Sequence, residues 1–384
     1  MDSFTATPSI VDLFCGCGGF SLGAELAGFH TLAAIDIDPI LQSGYRKNFP
    51  LTNAVEGNVA DIAYNDWPIL IGHQRPHGII GGPPCQGFSR IGKRKKDDPR
   101  NNLVHHFYRH VRELRPKFFV MENVQGILDE DNLETLTTGI EQVSEHYTIL
   151  GPFVINAADF GAATNRYRVL VIGYDPTEIS ELNIQDFTRR HIETPTTVRD
   201  AISDLPLPIP RKSSDKEYDW APYPIRNKRN LSDYAKRMRT PAPQGIGWPE
   251  ALKQFKKGWI SGLAETKHSD AIASRYESTP GGKVDPTSKS YKLQWDGQSP
   301  TLRAGTGADK GSFQAVRPLH PSVGRVITAR EAARLQGFPD WFVFHPTKWH
   351  SFRMIGNSVS PIVSQRIMST ILQAITNKLE CTAA

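Results

Sequence analysis

The stretch Ser9-Ile-Val-Asp-Leu-Phe-Cys-Gly-Cys-Gly-Gly-Phe-Ser-Leu-Gly23 runs from an apolar segment carrying one acid into a glycine cluster, and then into a helical pattern. It predicts a buried strand over 9–14, a tight turn, and a helix from about Ser21. Working outward, residues 31–37 form a second apolar run ending in acids, 78–82 a third and 118–122 a fourth, with an amphipathic helix over 103–114 closed by Pro116. Strands separated by helices predict an α/β fold with a doubly wound, mostly parallel, Rossmann-like sheet. Such sheets bind ligands beyond the carboxyl ends of their strands. Each predicted strand ends in chemically capable residues: Phe14-Cys15-Gly16, Asp36, Pro83-Pro84-Cys85 and Glu122-Asn123.

The 384 residues are enough for two or three domains. Charged residues make up 22% and hydrophobic residues 39%, which fits a globular chain and not a disordered one. No apolar run reaches the roughly 18–20 residues that span a bilayer, so no membrane role is expected. The opening residues lack the pattern of a secretion signal, and a reduced, cytoplasmic setting is expected. The four cysteines, Cys15, Cys17, Cys85 and Cys381, do not form the paired spacing of a zinc site, so no metal is expected. A formal net charge of +5 is mild and by itself describes a solvated face as well as a nucleic-acid surface.

After about Arg190 the texture changes. Prolines cluster over 205–211, basic and aromatic residues interleave over 226–229 and 234–239, and glycines gather over 280–283 and 304–311. This predicts a smaller, irregular, loop-rich domain over 190–345, set within a cofactor-binding domain made of 1–189 and 346–384. Regular structure returns with a helix over 329–336 and another from about Ser358.

The glycine turn and the acid at Asp36 together suit a nucleoside-containing cofactor. Glycines let backbone approach the ligand, and a carboxylate can accept from both ribose hydroxyls. In Gly81-Gly-Pro-Pro-Cys-Gln-Gly-Phe-Ser89 the prolines stiffen the backbone that presents Cys85. A lone cysteine is usually a small buried hydrophobe, but this one lacks an apolar surrounding pattern. The basic run Lys93-Arg-Lys-Lys96 can close on a phosphate backbone or simply be solvated. Glu122, ending an apolar run, is costly to bury without a partner or a task.

These ordered motifs resemble the DNA (cytosine-5)-methyltransferases, bacterial or phage modification enzymes, over nearly the whole chain. The likeness rests on Asp12 to Gly23, Gly81 to Ser89, Glu122-Asn123-Val124, Arg166-Tyr167-Arg168, Thr328-Ala-Arg-Glu-Ala-Ala-Arg-Leu-Gln-Gly-Phe-Pro339 and Gly356-Asn357-Ser358-Val359. The resemblance implies S-adenosyl-L-methionine as cofactor. Phe14, Gly16, Gly18, Gly19, Asp36, Asn58, Val59, Pro83, Leu103, Asn357, Ser358 and Val359 would hold it. It implies Cys85 as nucleophile toward C6 of a flipped-out cytosine, with Glu122 and Arg166 on the base and Arg168 supporting them. Gln86, Ser89, Lys93, Arg94 and Arg303 would touch DNA. The helix over 328–336 would brace a target-recognition domain. Duplex DNA is the implied partner of a monomer in the bacterial cytosol or nucleoid, and the resemblance further implies a restriction endonuclease acting on the same sequence without a stable complex. The chain departs from the family pattern at Asp36 (more often glutamate), Asn58 (aspartate), Thr164 (glutamine) and Ser360 (proline).

Three other readings are weaker. Exocyclic amino methylases carry an aromatic residue after the paired prolines, where this chain has Cys85. Transfer-RNA cytosine methylases usually have a much smaller recognition region. A non-enzymatic DNA-binding relative would have no use for both Cys85 and Glu122.

Overall fold

The computed structural model describes residues 7–84, 102–190, 192–211, 217–223, 231–304 and 317–383. The elements of the first half are β1 (Ser9–Leu13), α1 (Gly19–Ala27), β2 (His30–Asp36), α2 (Pro39–Asn48), β3 (Asn53–Glu56), α3 (Trp67–Ile71), β4 (Gly78–Gly81), α4 (Asn102–Leu114), β5 (Phe118–Asn123), α5 (Glu130–Glu141), β6 (Thr148–Asn156), the two-residue β7 (Thr164–Asn165) and β8 (Tyr167–Tyr174). Seven strands form one sheet in the order β3-β2-β1-β4-β5-β8-β6. β1, β2, β3, β4 and β5 run parallel, while β8 is antiparallel to both β5 and β6. The fold is therefore the doubly wound, mostly parallel α/β sheet expected.

Period-two alternation assigns side chains to the two faces. Val11, Leu13, Ala33, Ile35, Ile79, Phe119 and Met121 pack with Val104, Phe107 and Tyr108 of α4. Ile10, Ala34, Ile80, Phe118 and Val120 belong to the opposite face. The apolar cluster on that face is continuous with Tyr223, Ile246, Phe338, Trp341 and Phe342, so residues of the 190–345 region share a core with the sheet layer. The chain's far end returns to its beginning. Helix Pro361–Ala383 lies along α1, so closely that a Cβ on Gly23 would stand 2.3 Å from Ser364 Cβ. A further helix, Lys348–Asn357, precedes it and was not expected from sequence.

Helix Ala329–Gln336 is the mechanical link between layers. Thr328 and Glu331 make a reciprocal capping box, and Gly337 ends the helix in the left-handed region at φ 95°. Its two arginines are almost wholly buried. Arg330 donates to the carbonyls of Ser261 (2.9 Å), Pro339 (3.1 Å) and Phe342 (2.9 Å). Arg334 pairs with Asp340 at 2.6 Å and Asp204 at 3.0 Å, and donates to the Ala201 carbonyl at 2.9 Å. One helix face thus fixes segments near 201–204, 261 and 339–342.

Arg334→Met should leave Asp340 buried without its cation. Removing one member of such a pair costs about 3–5 kcal/mol. Chemical denaturation should show that loss, and a change below roughly 1 kcal/mol would show that the cluster does not hold the layers together.

Candidate active site

The strand order reverses between β1 and β4, and a cleft of about 890 Å³ opens at the carboxyl ends of these strands. Its walls come from the turns after β1, β2, β4 and β5, from α4, and from residues 353–359.

One end is shaped by backbone. Phe14 holds φ 63°, a rare conformation for a bulky residue, and Gly16 follows at 56°. Asp36 receives backbone N–H groups from Gly16 and from Asp38, both at 2.8 Å. Burial pushes the Asp36 carboxyl up to about 6, against the pull of the Gly16 N–H and the Arg353 cation. Gly19 is needed for close approach, since a Cβ there would meet the Val359 carbonyl oxygen at 2.4 Å and Ser358 Cβ at 2.9 Å. Gly18 does not line the cleft. It packs against Phe49 and Tyr45, where a Cβ would come 2.3 Å from the Phe49 ring, so its role is in joining α1 to α2.

Asn58, Val59 and Leu103 line the same end. The Asn58 amide is engaged within its own turn, accepting from the Ala60 N–H at 3.1 Å and donating to Asp61 at 3.2 Å. That turn is anchored to α4: Arg109 reaches the Val59 and Ala60 carbonyls at 3.3 Å, and His110 donates to Val59 at 2.9 Å. Asn357 is exposed and also lines the cleft, while the Ser358 hydroxyl donates to the Met354 carbonyl at 2.8 Å and Gln336 holds the Ser358 carbonyl at 2.9 Å.

At the other end stand Pro83, Pro84, Glu122, Asn123, Arg166 and Arg168. Asn123 donates to the Pro83 carbonyl at 3.2 Å, tying the two turns together. Gly82 leaves room for Glu122, whose Oε2 would stand 3.2 Å from a Cβ at that position. The motif alone gives Arg166 the reacting base and Arg168 a supporting role; the structure distributes them differently. Arg168 is the residue paired with Glu122, at 2.7 Å. Arg166 is buried, donating to the carbonyls of Leu302 (3.3 Å) and Gly356 (3.0 Å). Its Nε has no hydrogen-bond partner among the described residues. Burial and the neighbouring Arg168 disfavour its charge, while Glu122 favours it.

Arg303 is exposed, and its backbone abuts Gly356, where a Cβ would lie 2.6 Å from the Arg303 carbonyl carbon. Cys85, Gln86, Ser89, Lys93 and Arg94 lie outside the described residues. Pro84, to which Cys85 is joined in sequence, is a wall of the cleft.

Motif reading passed over several cleft residues. Ile37 is 67% exposed between Asp36 and Asp38, an apolar side chain offered to the cleft. Asp38 caps α2 and pairs with Arg353, a contact spanning the chain from its first strands to its last helices. Asp12 is buried on the cleft wall. Ile37 and Asp38 lie beside a residue that the sequence did single out; Arg353 carried no local signal.

The profile of the C-5 cytosine-specific DNA methylases matches residues 9–373. The Type II methyltransferase M.XorII of Xanthomonas oryzae pv. oryzae is 39% identical, aligned over 97% of this chain and 86% of the relative. M.DdeI of Desulfomicrobium norvegicum is 31% identical over 94% and 88%. Among solved structures, a protein described as a prophage-encoded DNA modification methyltransferase (E. coli) superposes with a TM-score of 0.85 at 38% identity, covering 96% of this chain and all of that one. The S. pombe Dnmt2 methyltransferase, at TM-score 0.59 and 18% identity over 95% and 98%, shares the fold. Motifs in order, sheet topology and full-length likeness agree: the chain belongs to the C-5 cytosine-specific DNA methylases, enzymes that methylate cytosine in DNA.

Proposed function

We propose that the protein binds S-adenosyl-L-methionine in this cleft and methylates C5 of a cytosine flipped out of a specific duplex sequence, through a covalent adduct between Cys85 and C6. The observation that carries the reading is the Glu122–Arg168 pair, which opens into the same cleft as the glycine turn and Asp36.

The residues present fit the cofactor. Gly16 and Gly19 leave space that any side chain would fill or strain, Asp36 offers a carboxylate to ribose hydroxyls, and Ile37 offers an apolar face to a purine ring. Asn58, Val59, Leu103, Pro83, Asn357, Ser358 and Val359 would complete the enclosure. When bound, S-adenosylmethionine supplies a methyl group made electrophilic by its sulfonium.

The protein's own groups prepare the base. Cys85 thiolate adds to C6 and so makes C5 nucleophilic, and after methyl transfer loss of the C5 proton and expulsion of the thiolate restore the ring and free Cys85. Glu122 hydrogen-bonds N3 and the exocyclic amine, sharing a proton as negative charge builds on the ring, and Arg168 fixes the carboxylate in that orientation. Arg166 braces the wall by joining the 302 and 356 backbones. Because none of these atoms can reach a stacked base, the cytosine must be extruded, at a cost of a few kcal/mol. Residues 190–345 form the target-recognition region, braced by helix Ala329–Gln336, with Arg303 and the segment holding Gln86, Ser89, Lys93 and Arg94 on the DNA. The chain acts as a monomer in the bacterial cytosol. The Type II names of its relatives support pairing with a restriction endonuclease of the same specificity.

Duplex DNA carrying 5-fluorocytosine should trap a covalent adduct with the wild-type protein and none with Cys85→Ala, whose cofactor binding should stay intact. An adduct or methylation by that variant would overturn the nucleophile. Glu122→Gln should slow single-turnover methylation by about 10²-fold or more; an unchanged rate would remove its proton role. Gly19→Ala should weaken cofactor binding by roughly tenfold or more, measured calorimetrically, because the added methyl meets backbone that cannot swing aside. Unchanged affinity would place the cofactor elsewhere.

A further inference from the structure

Asp12 lies one residue before the end of β1, only 1% exposed, yet part of the cleft wall. Its Oδ2 accepts from the Ser21 hydroxyl at 2.5 Å, and the Ser21 oxygen accepts in turn from Tyr45 at 2.8 Å. Its Oδ1 has no hydrogen-bond partner among the described residues. None of the ion pairs found among those residues involves Asp12. A carboxylate buried without a cation is an unfavourable arrangement that a positively charged ligand would relieve. Burial pushes the carboxyl up to about 7, with the Ser21 hydrogen bonds pulling it down and Asp36 pushing it further up.

We propose that Asp12 senses the charge at the sulfur of the cofactor, favouring the sulfonium donor over the neutral thioether product and so promoting product release. This rests on the reading of S-adenosylmethionine as cofactor. In the transfer, the carbon–sulfur bond to the methyl breaks and its electron pair stays on sulfur, which goes from a formal charge of +1 to neutral. Bound in this cleft, the sulfonium would face a desolvated carboxylate before transfer. Afterwards that carboxylate has lost its counter-charge, and the product is held by adenosine and amino-acid contacts alone. Around Asp12 the titratable groups are Asp36 on β2, Cys15 in the turn and Tyr45 on α2. Burial raises Cys15 and Tyr45 well above their usual values, so both stay neutral, and Asp36 is the group left to titrate beside it.

The test is calorimetric binding of S-adenosylmethionine, S-adenosylhomocysteine and sinefungin, whose amine is cationic where the methyl would be, to the full-length protein without DNA. Asp12→Asn keeps the size of the side chain and an oxygen for Ser21. It should weaken the two cationic ligands relative to S-adenosylhomocysteine by about tenfold or more. An equal change for all three would overturn the proposal. If the variant does not fold, the wild-type protein answers: the preference for S-adenosylmethionine over S-adenosylhomocysteine should rise between pH 6 and 8 as Asp12 ionises. Asp36, at about 6, titrates in the same range, so the ratio is also measured on Asp36→Asn, which keeps the rise if Asp12 is its source. A flat ratio would overturn the proposal, whereas a wild-type protein that binds none of the three would overturn the cofactor reading instead.

Discussion

The approach of Gly19 to the Val359 carbonyl is the contact on which the cleft depends. A strand leaving the sheet must turn into α1 within a few residues, and the last third of the chain must close over that turn. Both demands meet where any Cβ would collide with backbone. Gly23 repeats the condition one turn later against Ser364, whose hydroxyl donates to the Phe20 carbonyl at 2.6 Å. The α1 glycines therefore do two jobs: they shape a ligand surface, and they let the C-terminal helix lie close enough to complete it. The Arg353–Asp38 pair adds a second tie between the same two parts of the chain at the far rim.

Charge is arranged unevenly along the cleft. Its floor, at the ends of β1 and β2, carries Asp12 and Asp36, both held by burial well above ordinary carboxylates. Its other end carries Glu122 satisfied by Arg168, with Arg166 buried on carbonyls. An acidic floor suits a cationic methyl donor, and a fixed carboxylate beside arginine suits a base that gains negative charge as it reacts. The polarity of the site thus follows the order of events proposed for it.

Four of the five parallel strands were legible because they are largely buried and read as apolar runs between glycine and proline punctuation, whereas the edge strand β3, half exposed and only four residues long, gave no such run. β1, β2, β4 and β5 fall within a residue or so of the predicted bounds. The antiparallel pair was not. β6 mixes exposed and buried positions and shifts register between Leu150 and Phe153, so it shows neither a clean alternation nor a continuous run. Helix Lys348–Asn357 follows a stretch rich in aromatics, histidine and proline and lacks a clear start signal, its cap residue Thr347 making no side-chain capping bond. In the site, local motifs identified the glycines, Asp36 and Glu122. Arg353 was invisible, because its partner lies 315 residues away in sequence.

The arginine pair shows where a motif stops being informative. Two residues at i and i+2 in a regular strand share a face, and spacing alone therefore treats Arg166 and Arg168 as a unit. The backbone breaks that regularity. Arg166 falls between β7, which pairs with Ser299–Pro300, and β8, which pairs with β5. Its backbone N–H is taken by Asn156 at 2.9 Å, and its guanidinium turns to the 302 and 356 carbonyls, while Arg168 stays in register beside Glu122. A strand break one residue long is enough to separate the two arginines: one holds the Glu122 carboxylate, and the other fastens the wall where the 302 and 356 backbones meet.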